Sequence, residues 1–239
     1  MAAKTLRRQS NVDQETIVKL SKLEHPTFRL AGAAAVAVAT LLVASCATRP
    51  SQQDVVQTLK SSFLERGIAK LDRLDQTELQ RICSEAAATG KPLPEKSREA
   101  LQKTIYEAIK YPVDGKYLGD WQEGERIAQS GRGMQWSDAA GAANGANCYA
   151  CHQMSPVELS FGNMGPSLLK YGTLRGVKDP AAAESEPIVK YTWGRIWNTH
   201  AFSACSGMPR YGDAGSLTEQ QLKHVMALLL DPQSPVNRD

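Results

Sequence analysis

One pentapeptide places two thiols and an imidazole within five consecutive residues. It reads Cys148-Tyr149-Ala150-Cys151-His152. Two thiols at this spacing can each add to one vinyl group of a haem, and the histidine beside the second thiol then reaches the iron. The pattern predicts one covalent haem c, with Cys148 and Cys151 as its anchors and His152 as the proximal iron ligand.

Two other uses of a C-x-x-C pair are a thiol redox centre and half of a zinc site. A structural zinc site needs a second pair of soft ligands at similar spacing, and the sequence has no other C-x-x-C. A thioredoxin-like pair opens a helix after a βαβ pattern, whereas this pair follows the glycine- and alanine-rich residues 141–147. The context therefore favours haem.

A second axial ligand must come from downstream of the pentapeptide. Met208 lies in residues 207–212, Gly-Met-Pro-Arg-Tyr-Gly, a stiff loop ahead of the last predicted helix. A thioether from this loop can close over the distal face of the haem, and it raises the reduction potential relative to two histidines. His200 and Met164 are the alternatives, whereas Met226 falls on the apolar face of the last helix and is predicted to lie in the core.

Gly165-Pro166-Ser167-Leu168 follows the pentapeptide closely. In small cytochromes c, the carbonyl group of a proline in this place accepts a hydrogen bond from Nδ1 of the proximal histidine. That contact fixes the ring and tunes its donation to the metal. Pro166 is predicted to take this role, and a simple Gly-Pro turn is the alternative.

The N-terminus reads as an export signal. Residues 1–29 carry six basic side chains, and residues 30–45 are uncharged and largely apolar. This run is short for a spanning helix, which needs about 20 residues, but it suits the core of a signal peptide. It ends in Val-Ala-Ser before Cys46, the pattern that precedes a lipid-modified cysteine in bacterial lipoproteins. Residues 1–45 are therefore predicted to be an export signal and Cys46 a lipid-anchored first mature residue; ordinary cleavage near Ala47 is the alternative.

Two of the five cysteines remain after the haem anchors and the export signal are assigned. They are Cys83 and Cys205. In an oxidising compartment two remaining thiols favour a disulfide, which would constrain the unfolded chain by roughly 4 to 5 kcal/mol on the entropy model. The alternative is that Cys205, three residues before Met208, is a reactive or ligating thiol.

The charge distribution argues against a nucleic-acid partner. The chain of 239 residues has a formal net charge of +3, but residues 1–45 hold six of its 28 basic and three of its 25 acidic residues. The remainder carries 22 of each sign and is formally neutral. It therefore lacks the bulk positive charge that holds phosphates, and we expect no nucleic-acid partner.

Helical periodicity predicts an all-α fold. Apolar residues recur at three- and four-residue steps over residues 55–74, which predicts one continuous apolar stripe. Thr77 and Gln80 resemble a capping box, and a further helix is predicted over residues 94–110. Residues 46–110 are thus predicted to form a helical extension.

Residues 111–239 are predicted to form a class I cytochrome c-like haem domain. Asp120 is placed to cap a helix that runs to about Gly131, and Gly124 gives that helix a small residue on its packing face. A last helix opens at Thr218. Close crossing of the first and last helices is what a cytochrome c fold requires, and Gly124 would permit it.

Several segments recur together in one known family. They are the pentapeptide with the asparagine before it, the Gly-Pro-Ser-Leu tetrad, and residues 201–212, 217–221 and 228–237. Together they resemble the SoxX family, the monohaem subunit of the SoxAX thiosulfate-oxidising cytochrome. The likeness covers residues from about 111 to the end, and residues 51–110 are similar to the N-terminal extension of longer members.

The resemblance implies a reaction shared with partner proteins in the periplasm. A SoxA-like subunit, in a heterodimer with this chain, joins thiosulfate oxidatively to a cysteine of a SoxYZ-like carrier protein, and two electrons leave. The haem of this chain accepts them and passes them to a small cytochrome c. The whole complex would be an L-cysteine S-thiosulfotransferase with its catalytic centre on the partner, since this sequence presents no nucleophile with a nearby base.

Three other classes of protein remain open. A stand-alone periplasmic electron carrier would use the same haem site but has no need of the extension. A haem-based ligand sensor would exchange its distal ligand for carbon monoxide. A non-redox lipoprotein adaptor would carry no covalent haem.

Overall fold

The computed structural model describes residues 50–238, and their secondary structure is helical. The α-helices in this range are α1 (Gln52–Ser62), α2 (Glu78–Thr89), α3 (Glu95–Glu107), α4 (Trp121–Gln129), α5 (Glu186–Trp197) and α6 (Glu219–Leu230). No β-sheet forms among the described residues, where an isolated bridge pairs Arg66 with Ala69. The all-α prediction is confirmed for this part of the chain.

A compact unit begins at residue 59, so the division from the preceding residues falls within α1. The predicted export signal at residues 1–45 and the predicted lipidation site Cys46 lie outside the described residues. Within residues 50–238, no helix has both the length and the apolarity needed to cross a bilayer.

The predicted continuous stripe over residues 55–74 is wrong. The helix stops at Ser62, and the Leu64 side chain beyond it is 85% exposed. Residues Leu71–Leu74 form a separate 3-10 turn. Gly67 lies between the two elements with a φ of +50°, a conformation that glycine adopts readily and that a right-handed helix excludes.

Residues 66–73 are held out of a continuous α-helix by contacts with the loop that precedes the pentapeptide. The guanidinium of Arg66 lies 3.7 Å from the centre of the Trp136 ring, which is a cation–π geometry. Arg73 donates a hydrogen bond to the carbonyl oxygen of Met134 at 2.5 Å. Periodicity reports only local helix formation, so it misses these long-range contacts.

The capping box at the start of α2 is confirmed. Thr77 Oγ1 accepts a hydrogen bond from the backbone N–H of Gln80 at 3.3 Å, and Gln80 Oε1 accepts one from the N–H of Thr77 at 2.9 Å. The helix ends at Gly90, whose φ of +67° is the left-handed cap that favours glycine. Pro94 then precedes α3, which is three residues shorter than predicted at its C-terminal end.

The residues that follow α3 enter the hydrophobic core that α4, α5 and α6 share. Ile109 is buried, and the indole N–H of Trp193 donates to the carbonyl oxygen of Lys110 at 2.8 Å. Tyr117 meets the Trp193 ring edge to face, with 5.6 Å between centroids. The predicted boundary between residues 110 and 111 thus lies within the unit of residues 59–239, where the two sides share one core.

The helices α4 and α6 cross in close contact. Asp120 caps α4, accepting a hydrogen bond from the N–H two residues later at 2.8 Å. Thr218 caps α6 in a capping box with Gln221. At the crossing, a Cβ added to Gly124 would lie 2.1 Å from the carbonyl oxygen of His224. The predicted crossing is confirmed, and the buried face of α6 includes Leu222, Val225, Met226 and Leu229.

Candidate haem site

The pentapeptide folds as one tight turn. Residues Cys148–Ala150 form a 3-10 turn, entered through Asn147 with a φ of +49°. The carbonyl oxygen of Cys148 accepts hydrogen bonds from the N–H of Cys151 at 3.1 Å and from that of His152 at 2.9 Å. This backbone arrangement holds the two thiols and the imidazole within a single turn.

Both cysteines of the pentapeptide are free thiols and partly buried. Burial raises the pKa of the Cys148 thiol to about 12, because desolvation disfavours the thiolate. The group is therefore neutral at physiological pH. Among residues 50–238, no group of three or more His, Cys, Asp and Glu side chains is arranged to hold a metal ion.

The imidazole of His152 is oriented by a backbone carbonyl. Its Nδ1 lies 2.7 Å from the carbonyl oxygen of Pro166. A carbonyl oxygen only accepts, so Nδ1 carries the proton and donates it, and Nε2 presents a lone pair. This is the contact expected between Pro166 and His152, and it leaves Nε2 as the nitrogen that can bind a metal.

Gly165 provides the space in which that ring lies. A Cβ on Gly165 would be 2.2 Å from Cε1 and 2.4 Å from Nδ1 of His152. The N–H of Gly165 also donates to the carbonyl oxygen of Cys151 at 2.8 Å. The Gly-Pro segment therefore packs closely against the imidazole, and any larger residue at position 165 would push the ring away.

The loop that carries Met208 is tied to the residues next to the pentapeptide. The hydroxyl of Tyr211 donates to the carbonyl oxygen of Ala146 at 2.5 Å. Burial, followed by the nearby thiols of Cys148 and Cys151, raises the pKa of the Tyr211 hydroxyl. Met208 itself is partly buried and packs against the main core. The structure therefore places Tyr211 of this loop next to the residues that precede the pentapeptide.

The other side chains considered as the second axial ligand differ from Met208 in burial and in their partners. His200 is buried, and its Nε2 lies 3.0 Å from the carbonyl oxygen of Ser206, to which it must donate. Met164 is 83% exposed in the loop between His152 and Pro166. Met226 is fully buried on α6, as predicted.

His224, in α6, has a polar neighbour at each of its two ring nitrogens. Nδ1 accepts from the N–H of Asp120 at 2.8 Å, and Nε2 lies 3.1 Å from the side-chain amide of Gln220. His224 therefore serves the crossing of α4 and α6.

The two cysteines outside the pentapeptide lie together. Cys83 of α2 and Cys205 form a disulfide with an S–S distance of 2.03 Å across 122 residues of sequence. Cys205 is in the same loop as Met208. This is the predicted pairing. Cys205 therefore has no free thiol in this structure, unlike in the alternative in which it is a reactive or ligating thiol.

A contact that sequence reasoning missed lies between Tyr149 and Glu125. The Tyr149 hydroxyl is 2.9 Å and 3.0 Å from the two carboxylate oxygens of Glu125, to which it donates. Burial raises the pKa of Glu125 even though the phenol opposes the shift. The pair ties the pentapeptide to α4. Position 149 is one of the two variable positions of C-x-x-C-H, so the motif gave no signal for it.

No family model matches the chain. A similar protein is an "Uncharacterized lipoprotein" from Aquifex aeolicus (strain VF5), which is 38% identical over 138 residues. The match covers 57% of this chain and 61% of the relative. The chain thus matches about three fifths of the length of that protein.

Proposed function

We propose that this chain is a monohaem c-type cytochrome that transfers electrons, and that His152 and Met208 are its axial ligands. The observation that carries the proposal is the turn at residues 148–152. It combines two free thiols at haem-attachment spacing with an imidazole whose Nε2 is left open by the bond from Nδ1 to Pro166. The donor set fits a haem c.

The residues of the chain orient the ligands and hold the redox group in one place. A haem c bound to Cys148 and Cys151 supplies a one-electron iron couple. The carbonyl oxygen of Pro166 fixes the plane of the His152 ring. By accepting a hydrogen bond from Nδ1, it also makes Nε2 a stronger electron donor to the iron. Met208 brings a thioether, which favours the reduced iron relative to a second histidine.

The resemblance to the SoxX family gives this electron transfer a source and a destination. In the proposed reaction a sulfur–sulfur bond forms between thiosulfate and the cysteine of a SoxYZ-like carrier, with loss of one proton and two electrons. A SoxA-like subunit carries out that step. This chain accepts the electrons one at a time and passes each to a small cytochrome c.

Export and anchoring form part of the proposal. The relative from Aquifex aeolicus is a lipoprotein by its name, which supports lipidation of this chain at Cys46. Two or more acyl chains on one residue give stable membrane attachment. The haem domain would then be tethered on the outer side of a membrane, in the periplasm.

Covalent haem is tested by a pyridine haemochrome assay on denatured protein purified from a host with haem c maturation. The wild-type chain is expected to give one haem c per chain, and the Cys148→Ser, Cys151→Ser double variant none. Cys46→Ser is the matched control, because it removes a thiol outside the pentapeptide: it is expected to keep the haem and to leave the membrane fraction. Colourless wild-type protein would refute the cytochrome proposal.

The thiosulfate-linked role has its own test. The native protein is copurified with its partners and mixed with thiosulfate and the carrier protein, while reduction of its haem is followed by absorbance. We expect reduction that requires thiosulfate, carrier and the SoxA-like subunit together. If the chain elutes without partners in gel filtration, and its haem is never reduced under these conditions, the protein would instead be a stand-alone electron carrier.

A further inference from the structure

The loop that carries Met208 is restrained just upstream of that residue. Cys205 is bonded covalently to Cys83 of α2. The next residue, Ser206, accepts hydrogen bonds at two atoms: its carbonyl oxygen from Nε2 of His200 at 3.0 Å, and its hydroxyl oxygen from the N–H of Met208 at 3.2 Å. The position of Met208 thus depends on a short series of contacts that begins at the disulfide.

The disulfide brings a distant part of the chain to this loop. It joins positions 122 residues apart, so it links the extension to the loop that carries Met208. The extension also contacts the loop ahead of the pentapeptide, through Arg66 on Trp136 and Arg73 on Met134. Those contacts are non-covalent, whereas the contact with the Met208 loop can be opened by a reductant.

Cys205 is an exposed residue of the loop, so we expect an attacking thiolate to reach the disulfide from its side. Exposed disulfides exchange with thiols faster than buried ones, since access of the attacking thiolate sets part of the rate. Cys83 is half-buried on α2 and is the expected leaving group.

We propose that the Cys83–Cys205 disulfide is a positioning bond for Met208, and that its reduction releases Met208 from the iron. The inference rests on the proposed function. Reduction by a dithiol proceeds in two exchanges. A reagent thiolate attacks Cys205 and the Cys83–Cys205 bond breaks, after which the second reagent thiol displaces the Cys205 sulfur. The reagent leaves as a cyclic disulfide, and the chain gains two electrons and two protons as two thiols.

The test uses the holoprotein and the Cys83→Ser, Cys205→Ser double variant. Three readouts are followed: the near-infrared sulfur-to-iron band of the oxidised form, the reduction potential, and carbon monoxide binding to the reduced form. The double variant is expected to lose the band, to have a lower potential and to bind carbon monoxide without denaturant. Far-ultraviolet circular dichroism checks that its helices are retained.

Trp136→Ala is the matched control. It removes a contact between the extension and the other loop, and it touches neither Met208 nor the disulfide. A variant that is merely less stable would still show the sulfur-to-iron band at low temperature, so Trp136→Ala is expected to retain all three wild-type readouts.

A second arm uses the wild-type sequence, so misfolding of a variant does not affect it. Wild-type holoprotein is reduced with dithiothreitol, its two thiols are alkylated with iodoacetamide, and the iron is reoxidised with ferricyanide after desalting. Loss of the band in protein whose Cys83 and Cys205 are alkylated by mass spectrometry supports the inference. An unchanged band and potential in that material overturn it and leave the cytochrome proposal intact, whereas wild-type protein without covalent haem refutes the proposed function itself.

Discussion

Gly124 of α4 lies against the backbone carbonyl of His224 in α6, so closely that a Cβ at position 124 would be 2.1 Å from that oxygen. The nearest side-chain atom to that Cβ would be Cβ of Leu228, at 3.0 Å. Backbone atoms cannot rotate out of the way as a side chain can. The distance between α4 and α6 is therefore set by the absence of a side chain at one residue.

Gly124→Ala is expected to lower the free energy of unfolding by about 1 to 3 kcal/mol, the usual cost of overpacking a close contact. The helices would have to separate to admit the methyl group, even though alanine favours a helix. Denaturant unfolding of the holoprotein measures the change. Gly207→Ala is the control, since a Cβ there meets nothing within 4 Å, and it should change stability by no more than ~0.5 kcal/mol. Equal stability of the two variants would contradict the close crossing.

Gly165→Ala is expected to weaken ligation by His152. The added methyl group would overlap the imidazole at 2.2 Å and break its bond to Pro166. Loss of such an outer contact weakens metal binding by roughly 10- to 100-fold. The acid transition in which a proton displaces the ring should then move up by about one to two pH units, seen as a low-spin to high-spin change. Ser167→Ala, in the same tetrad, should leave the midpoint in place.

Met208→Ala is expected to abolish the near-infrared sulfur-to-iron band and to lower the reduction potential, because the iron loses its thioether. Met164→Ala removes the other methionine considered as a ligand. Since Met164 is 83% exposed, its loss should leave both readouts unchanged. A band that survives in the Met208 variant and vanishes in the Met164 variant would reassign the distal ligand.

Stability is expected to fall between pH 10 and pH 12. Burial, with the neighbouring Tyr106 adding to it, raises the pKa of Tyr111 from 10.0 to about 12. A group whose folded pKa lies above its unfolded value contributes stability that is complete below the unfolded pKa and lost as pH rises through the folded one. Tyr111→Phe removes this ionisation and should shift the alkaline unfolding midpoint upward. A variant that unfolds at the wild-type pH would show that other groups control the transition.

Local rules were sufficient wherever the cause of a structure is local. The capping boxes of Thr77 and Thr218, and the cap of α4 at Asp120, each depend on residues two or three positions apart. By contrast, periodicity wrongly carried a helix past Ser62, because contacts made 60 or more residues away hold that segment out of the helix.

The sequence by itself determined the helical class, the starts of α2, α3, α4 and α6, and the candidate ligands, since these depend on residue type and short spacing; it did not predict α5. Only the tertiary structure decided that Tyr211 reaches Ala146 and that Tyr149 meets Glu125. Each of these pairs is separated by tens of residues, and its geometry follows from how the whole core packs. Side-chain periodicity carries no information about such distances.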